Sequence, residues 1–391
     1  MSSGTDVTAE GGIAAPHAPQ SRRLWGRPST LSRIREACAQ EGTAIFFAED
    51  RSDWLHIGPL AELVAEMGKP VLRLTGDPND PMIVDQGAMF IGKIVSATRL
   101  FLRLPPSVVV MTMTDLDTYH LKRSVHDVHY VYVFHSLLST HRAYRDHAFD
   151  AYDSILCSGP HHKRELEKAG EAGDLRRRNL LETGYCRLDT IIAESKNVSD
   201  LEEDSTRVLL APTWGASSLI EHNLEKIIKN LLNKSIEVIL RFHPMSLRHQ
   251  PSLVAQYSTL FGENPKFSHD LEFESTESMI ISDVVLSDWS GAAQEFSLGL
   301  LRPALFVDTP KKTHNSEFLK LDIPCYEDLV RQDLGALVHP TELDLIPELI
   351  ESLHGDRAIW NQKLERLRNE HLYNPGTAVA AAADYIVRLL P

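Results

Sequence analysis

Cysteine is scarce in this chain and forms no pattern: Cys38, Cys157, Cys186 and Cys325 stand far apart, without a CxxC pair or metal-finger spacing. That argues against a disulfide scaffold and suits a reducing cytosol. Basic residues are also in short supply, 40 against 54 acidic ones. With a formal charge of −14, a nucleic-acid backbone or a wide anionic surface would be repelled over most of the protein. No nucleic-acid partner is expected, and an anionic ligand must be held by local groups. No run of about 18 apolar residues offers a membrane span. The opening residues are rich in Gly, Ala, Ser and Pro and lack the apolar core of a signal peptide. Repeats at solenoid periods are absent.

The chain does have 391 residues and 43% hydrophobic content, enough for two domains with separate cores. From Thr43, apolar runs alternate between strand-like (Ala44 to Phe47, Val71 to Leu74, Val108 to Met111, Tyr130 to Phe134, Ser154 to Cys157) and helix-like (Leu55 to Met67, His161 to Ala169). An acidic stretch around Lys196 to Asp204 interrupts the alternation. It then restarts with strands at Val208 to Ala211 and Val238 to Phe242 and a helix at Leu219 to Leu232. The expected fold is α/β, two Rossmann-like doubly wound domains facing across a cleft at the carboxyl ends of their strands. The boundaries read as a disordered segment over 1–28, domains over 29–195 and 207–370, a linker over 196–206, and a C-terminal helix within 371–391 that packs back.

The richest stretch runs from Ser282 to Asp308. A short strand (Asp283 to Leu286), a small-residue turn (Ser287, Asp288, Ser290, Gly291), a helix (Ala292 to Leu300) and a second strand (Ala304 to Val307) make a βαβ unit. Hydroxyls and unpaired amides at a helix N-terminus favour a phosphate, although Asp288 or Ser290 would serve equally as an ordinary N-cap. One turn into the helix, Glu295 is placed either for a ribose hydroxyl or for solvent.

Further motifs end other predicted strands, where site residues collect in this architecture. His135 follows an apolar run and leads into Ser136 and His141. Its ordinary pKa suits a general base, and a histidine buried on a backbone carbonyl is the alternative. The turn Pro212-Thr213-Trp214-Gly215 offers a hydroxyl and an amide to a phosphate or ribose. In Arg241-Phe242-His243-Pro244 the proline holds His243 extended, in position to donate to a pyrophosphate oxygen. For Arg241 a structural ion pair is the simpler account. In Glu182 to Asp189, Arg187 and Asp189 read as a local pair shaping a hinge, or Arg187 as facing a phosphate. The histidines lack partners at metal-ligand spacing, so no metal and no cofactor is expected.

In this order, the strand-end histidine, Gly184-Tyr-Cys-Arg-Leu-Asp189, Ala211-Pro-Thr-Trp214, Arg241-Phe-His-Pro244 and Ser287-Asp-Trp-Ser-Gly291 resemble the CDP-glycerol glycerophosphotransferase family, typified by teichoic acid primases and polymerases. The resemblance implies a GT-B fold and transfer of glycerol phosphate from CDP-glycerol to a hydroxyl with release of CMP. By position, His135 matches the family's proposed base and His243 its pyrophosphate-contacting histidine. Thr213, Ser287, Asp288, Ser290 and Gly291 match its donor loops. Departures stand at Ser136, Cys186, Leu188, Gly215 and Gly291, where the family usually has Gly, Pro, Asn, Arg and Ser. The donor is therefore read as CDP-glycerol or a related activated alditol. A nucleotide-sugar glycosyltransferase of capsule, O-antigen or glycolipid synthesis, or a nucleotide-sugar 2-epimerase, and a non-catalytic nucleotide-binding scaffold stand as alternatives. The acceptor would be a polysaccharide or lipid-linked hydroxyl. The expected location is cytoplasmic, with peripheral contact at the inner membrane face as an option; Arg22, Arg23, Trp25 and Arg27 could add only a small surface attraction there, and an exposed entry segment is the preferred reading of that patch.

Overall fold

The computed structural model describes residues 29–39, 42–92, 94–171, 178–197, 205–272 and 274–391. The expectations for residues 1–28, including the Arg22 to Arg27 patch, and for the centre of the linker lie outside them.

Apolar runs of β-branched and aromatic residues form two wholly parallel sheets. The first has the order β3-β2-β1-β4-β5-β6-β7, with β1 Ala44–Ala48, β2 Val71–Thr75, β3 Met89–Phe90, β4 Ser107–Met111, β5 Val128–Val133, β6 Ser154–Leu156 and β7 Asn179–Leu181. The second runs β10-β9-β8-β11-β12-β13, with β8 Arg207–Ala211, β9 Glu237–Arg241, β10 Phe267–Asp270, β11 Val284–Ser287, β12 Ala304–Val307 and β13 Gly335–Val338. Helices cover both faces, which is why central strands such as Ala44–Ala48 and Val284–Ser287 are buried throughout. In each sheet the strand order reverses at the first strand, between β1 and β4 and between β8 and β11, and these are the points where ligands enter such folds.

The expected helix Leu219 to Leu232 is corrected. A short 3-10 turn, Leu219–Glu221, comes first, and the α-helix Leu224–Asn233 starts after Asn223, which is left-handed at φ 66°. The break has a cause: the buried Asp288 carboxylate takes the Leu219 amide at 2.8 Å, tying that turn to the neighbouring strand end.

The C-terminal part joins the halves. The helix Arg357–His371 puts Leu364 and Leu367 in the same core as Phe296 and Val330 of the second half. The helix Ala378–Leu389 crosses back, packing Ala382, Ala383 and Ile386 with Ile57, Leu60 and Ala61 of the helix Trp54–Glu66. At the crossing the Tyr373 amide donates to the Ser158 carbonyl at 3.0 Å. Gly184 sits there at φ +100°, and a Cβ on it would lie 2.2 Å from the Tyr373 carbonyl oxygen, so only glycine fits.

Candidate active site

Between the strand ends lies a cleft of about 460 Å³ lined by both halves. Its first wall comes from segments after β1 (Asp50, Ser52, His56) and β5 (His135, Ser136, Tyr144). The second comes from segments after β8 (Pro212, Thr213, Trp214), β9 (His243), β11 (Ser290, Gly291, Glu295) and β12 (Lys312, His314). The halves meet closely at Gly291, where a Cβ would stand 3.1 Å from Ser136 Oγ.

His135 follows β5 and opens onto the cleft. The Tyr132 hydroxyl lies 3.4 Å from its Nδ1, and the Tyr144 hydroxyl 3.5 Å from its Nε2. Behind it, the Asp53 carboxylate accepts from Thr112 Oγ1 at 2.6 Å and from the Glu49 amide at 2.7 Å. The ring is solvent-accessible at its cleft edge, but the protein packed around it displaces enough water to lower its pKa below the ordinary imidazole value, and the Asp53 charge opposes that fall. The ring is therefore neutral at neutral pH, the form that accepts a proton. If it acts as base, activity is fully present above its pKa and is lost as pH falls through it. The acid limb of kcat/KM is then expected below pH ~6.5. In Asp53→Asn the opposing charge is gone and the limb moves to still lower pH. A limb that stays in place in that variant would show that His135 does not set it.

On the other wall, His243 caps the helix Pro244–His249, its Nδ1 accepting from the Met245 amide at 3.1 Å. A neutral ring accepting at Nδ1 carries its proton on Nε2, which makes it a fixed donor. Burial first, then the charge of Lys312, depresses its pKa to about 3, so it remains neutral. The N-terminus of the helix Gly291–Leu300 also reaches the cleft. There Ser290 Oγ accepts from the Ala292 amide at 3.4 Å. If the cleft holds a diphosphate, His243→Ala is expected to raise its Kd about tenfold, the loss of one oriented hydrogen bond to a charged group. Calorimetric titration of the variant with a nucleoside diphosphate checks this.

Several expected site residues have other duties. Ser287 is fully buried, its Oγ donating to the Ala211 carbonyl at 2.6 Å. Asp288 is equally buried and accepts the amides of Thr213, Leu219 and Trp289 at 2.8, 2.8 and 2.6 Å. Neither lines the cleft: both side chains turn to neighbouring backbone and so shape the turn between β11 and the helix Gly291–Leu300. Arg241 borders the cleft, but its guanidinium is held by Asp270 and by the Ser275 carbonyl, each at 3.0 Å. Glu295 borders it too and accepts from the Tyr185 hydroxyl at 2.5 Å, which joins the halves.

Arg187 and Asp189 form no local pair: both lie on the helix Cys186–Ser195, where Arg187 is buried outside the cleft. Asp189 accepts the Gly376 and Val379 amides at 2.8 and 2.9 Å and thereby caps the returning helix. His141 lies off the cleft, on a second cavity of about 260 Å³. Its Nε2 is 3.2 Å from the Ile323 carbonyl and 3.4 Å from Cys325 Sγ, and its Nδ1 is 3.5 Å from Glu165.

Next to it, buried Arg142 crosses to the second half and pairs with Glu327 at 2.7 Å and Asp328 at 2.8 Å, while the Ser139 amide donates to Glu327 at 2.9 Å. At the cleft mouth the exposed Arg248 meets the half-buried Asp50 at 3.0 Å. Sequence reasoning missed Asp53, Arg142, Glu327 and Lys312. Arg142, Glu327 and Lys312 have partners far away in the chain and no local pattern marks them, whereas Asp53 sits in a local capping box with Asp50 and only its Thr112 partner is distant.

With this geometry in view, the comparisons are decisive on kinship. The family model described as CDP-Glycerol:Poly(glycerophosphate) glycerophosphotransferase matches residues 115–356, more than half of the chain. The chain belongs to that family. Among solved structures, the wall teichoic acid polymerase TagF is similar with a TM-score of 0.59 and 16% identity, covering 88% of both chains. The UDP-GlcNAc 2-epimerase of Methanocaldococcus jannaschii gives 0.51 and 12%, covering 89% of this chain and 99% of that one. That of Neisseria meningitidis gives 0.54 and 11%, covering 88% and 98%. At these identities the likeness shows the fold, two Rossmann-like halves of GT-B type. A comparison with curated proteins finds no significant match. Among the described residues no helix is long and apolar enough to cross a membrane.

Proposed function

We propose that this glycerophosphotransferase family member moves glycerol phosphate, or a closely related alditol phosphate, from a CDP-linked donor to a hydroxyl of a polysaccharide or lipid-linked acceptor and releases CMP. One observation carries the reading. Within a chain of this family, a neutral imidazole on one wall, His135, faces a fixed imidazole donor and a helix N-terminus on the other.

The residues support a direct displacement. The acceptor hydroxyl attacks the distal phosphorus in line with the CMP oxygen, and His135 takes its proton as the new P–O bond forms. His243 Nε2–H and the amides opening the helix Gly291–Leu300 meet the oxygens of the departing phosphate, where oriented dipoles outweigh what water offers. These converging donors support the reading that no metal cofactor is required. A lipid-linked acceptor in teichoic acid-like or capsule synthesis would place the protein in the cytoplasm at the inner membrane face.

A thermal-shift panel tests the donor class, since a ligand of the native state raises its melting temperature. CDP-glycerol and CDP are expected to stabilise the protein, and cytidine much less. Stabilisation by UDP-sugars with no response to cytidine diphosphates would overturn the assignment.

A further inference from the structure

Four cationic side chains border the cleft, and three of them are spoken for: Arg142 by Glu327 and Asp328, Arg241 by Asp270, Arg248 by Asp50. Lys312, on the segment after β12, differs. Its Nζ donates to Thr213 Oγ1 at 2.9 Å and lies 4.5 Å from the centre of the Trp214 ring, and both partners are neutral. Among the described residues no carboxylate comes within ion-pair reach of it, whereas the adjacent Lys311 pairs with Asp328 at 2.9 Å.

The site already favours negative charge. Burial pulls the Lys312 pKa down to about 8, with Asp288 opposing, so the ammonium has lost water without gaining a counter-ion. Asp288 is the nearest acid, but three backbone amides take up its carboxylate. Burial and the Lys312 charge lower the pKa of both His243 and His314.

Resting on the donor reading above, we propose that Lys312 is the charged donor-binding residue of this chain, its ammonium pairing with a non-bridging oxygen of the nucleoside diphosphate. A compact, rotatable ammonium matches a phosphate oxygen and offers nothing specific to the base. The Thr213 hydroxyl holds it toward the loops that also present His243 and Ser290.

The test titrates the full-length wild type, Lys312→Met and Lys312→Arg with CDP-glycerol, CDP, CMP and cytidine by calorimetry, alongside steady-state transfer. Lys312→Met is expected to weaken CDP and CDP-glycerol about tenfold to a hundredfold, to raise KM more than it lowers kcat, and to leave cytidine binding unchanged. Lys312→Arg should recover most of the loss. Wild-type affinity for CDP should fall between pH 7 and 9 as Lys312 loses its proton, a slope absent from Lys312→Met. Of the groups facing the ammonium, His243 and His314 are already neutral over that range and Asp288 is held by its amides. CDP binding that is equal in wild type and Lys312→Met, or a matching loss of cytidine binding, would overturn the role of Lys312 and leave the donor reading standing. Failure of the wild type to bind CDP-glycerol would overturn the donor reading itself.

Discussion

Replacing His135 by alanine is expected to lower the transfer rate about a thousandfold while leaving the Kd for CDP-glycerol within about twofold of wild type. A positioned base contributes on the order of 10² to 10⁴ in rate, and the remaining rate comes from donor positioning by the opposite wall. The split is expected because His135 and the donor groups stand on different halves of the cleft. His56, the nearest other imidazole at 6.2 Å between ring centres, is buried and held well below the ordinary pKa first by burial, then by the charges of His135 and Arg187. It is a poor substitute. Quenched-flow transfer and calorimetric donor titration read the two halves of the prediction. A variant turning over at the wild-type rate would remove His135 from the chemistry, and one that lost donor binding in proportion would make it a donor ligand.

The second large effect concerns stability. Glu327→Ala is expected to destabilise the protein by about 3–5 kcal/mol, the usual cost of leaving a buried partner charge unpaired. Arg142 has only 1% of its side chain exposed, and of its acidic partners the variant keeps only Asp328, which is 25% exposed and shared with Lys311. The Ser139 amide is orphaned as well. Urea titration of the variant should show a lower midpoint. The double variant Arg142→Met/Glu327→Met removes both charges and should recover most of the loss. A single variant as stable as wild type would mean that water already reaches this pair.

The pattern of what was legible follows from range. Buried parallel strands announce themselves as apolar runs, so β1, β4, β5, β8, β9, β11 and β12 stand where the sequence places strands, within a residue or two. The edge strands β3, Asn179–Leu181, Phe267–Asp270 and Gly335–Val338 are short, and Ser-His-Asp in one of them carries no apolar signal. In the site, residues just past an apolar run reach the cleft by topology alone, which brings His135, Thr213, His243, Ser290 and Gly291 together. Which side chain at a strand end turns inward is not local information, and Ser287 and Asp288 turn to the backbone. Lys312 and the Arg142 pair depend on neighbours between 99 and 186 positions away.

The most direct measurement is a balance sheet of one reaction: CDP-glycerol labelled in the glycerol, incubated with the purified protein and polymer or lipid-linked acceptors. CMP release and label transfer are counted together. The account predicts one CMP for each glycerol phosphate that reaches an acceptor, with both lost in His135→Ala. CMP formed without label on any acceptor, or label transferred equally well by the variant, would contradict it.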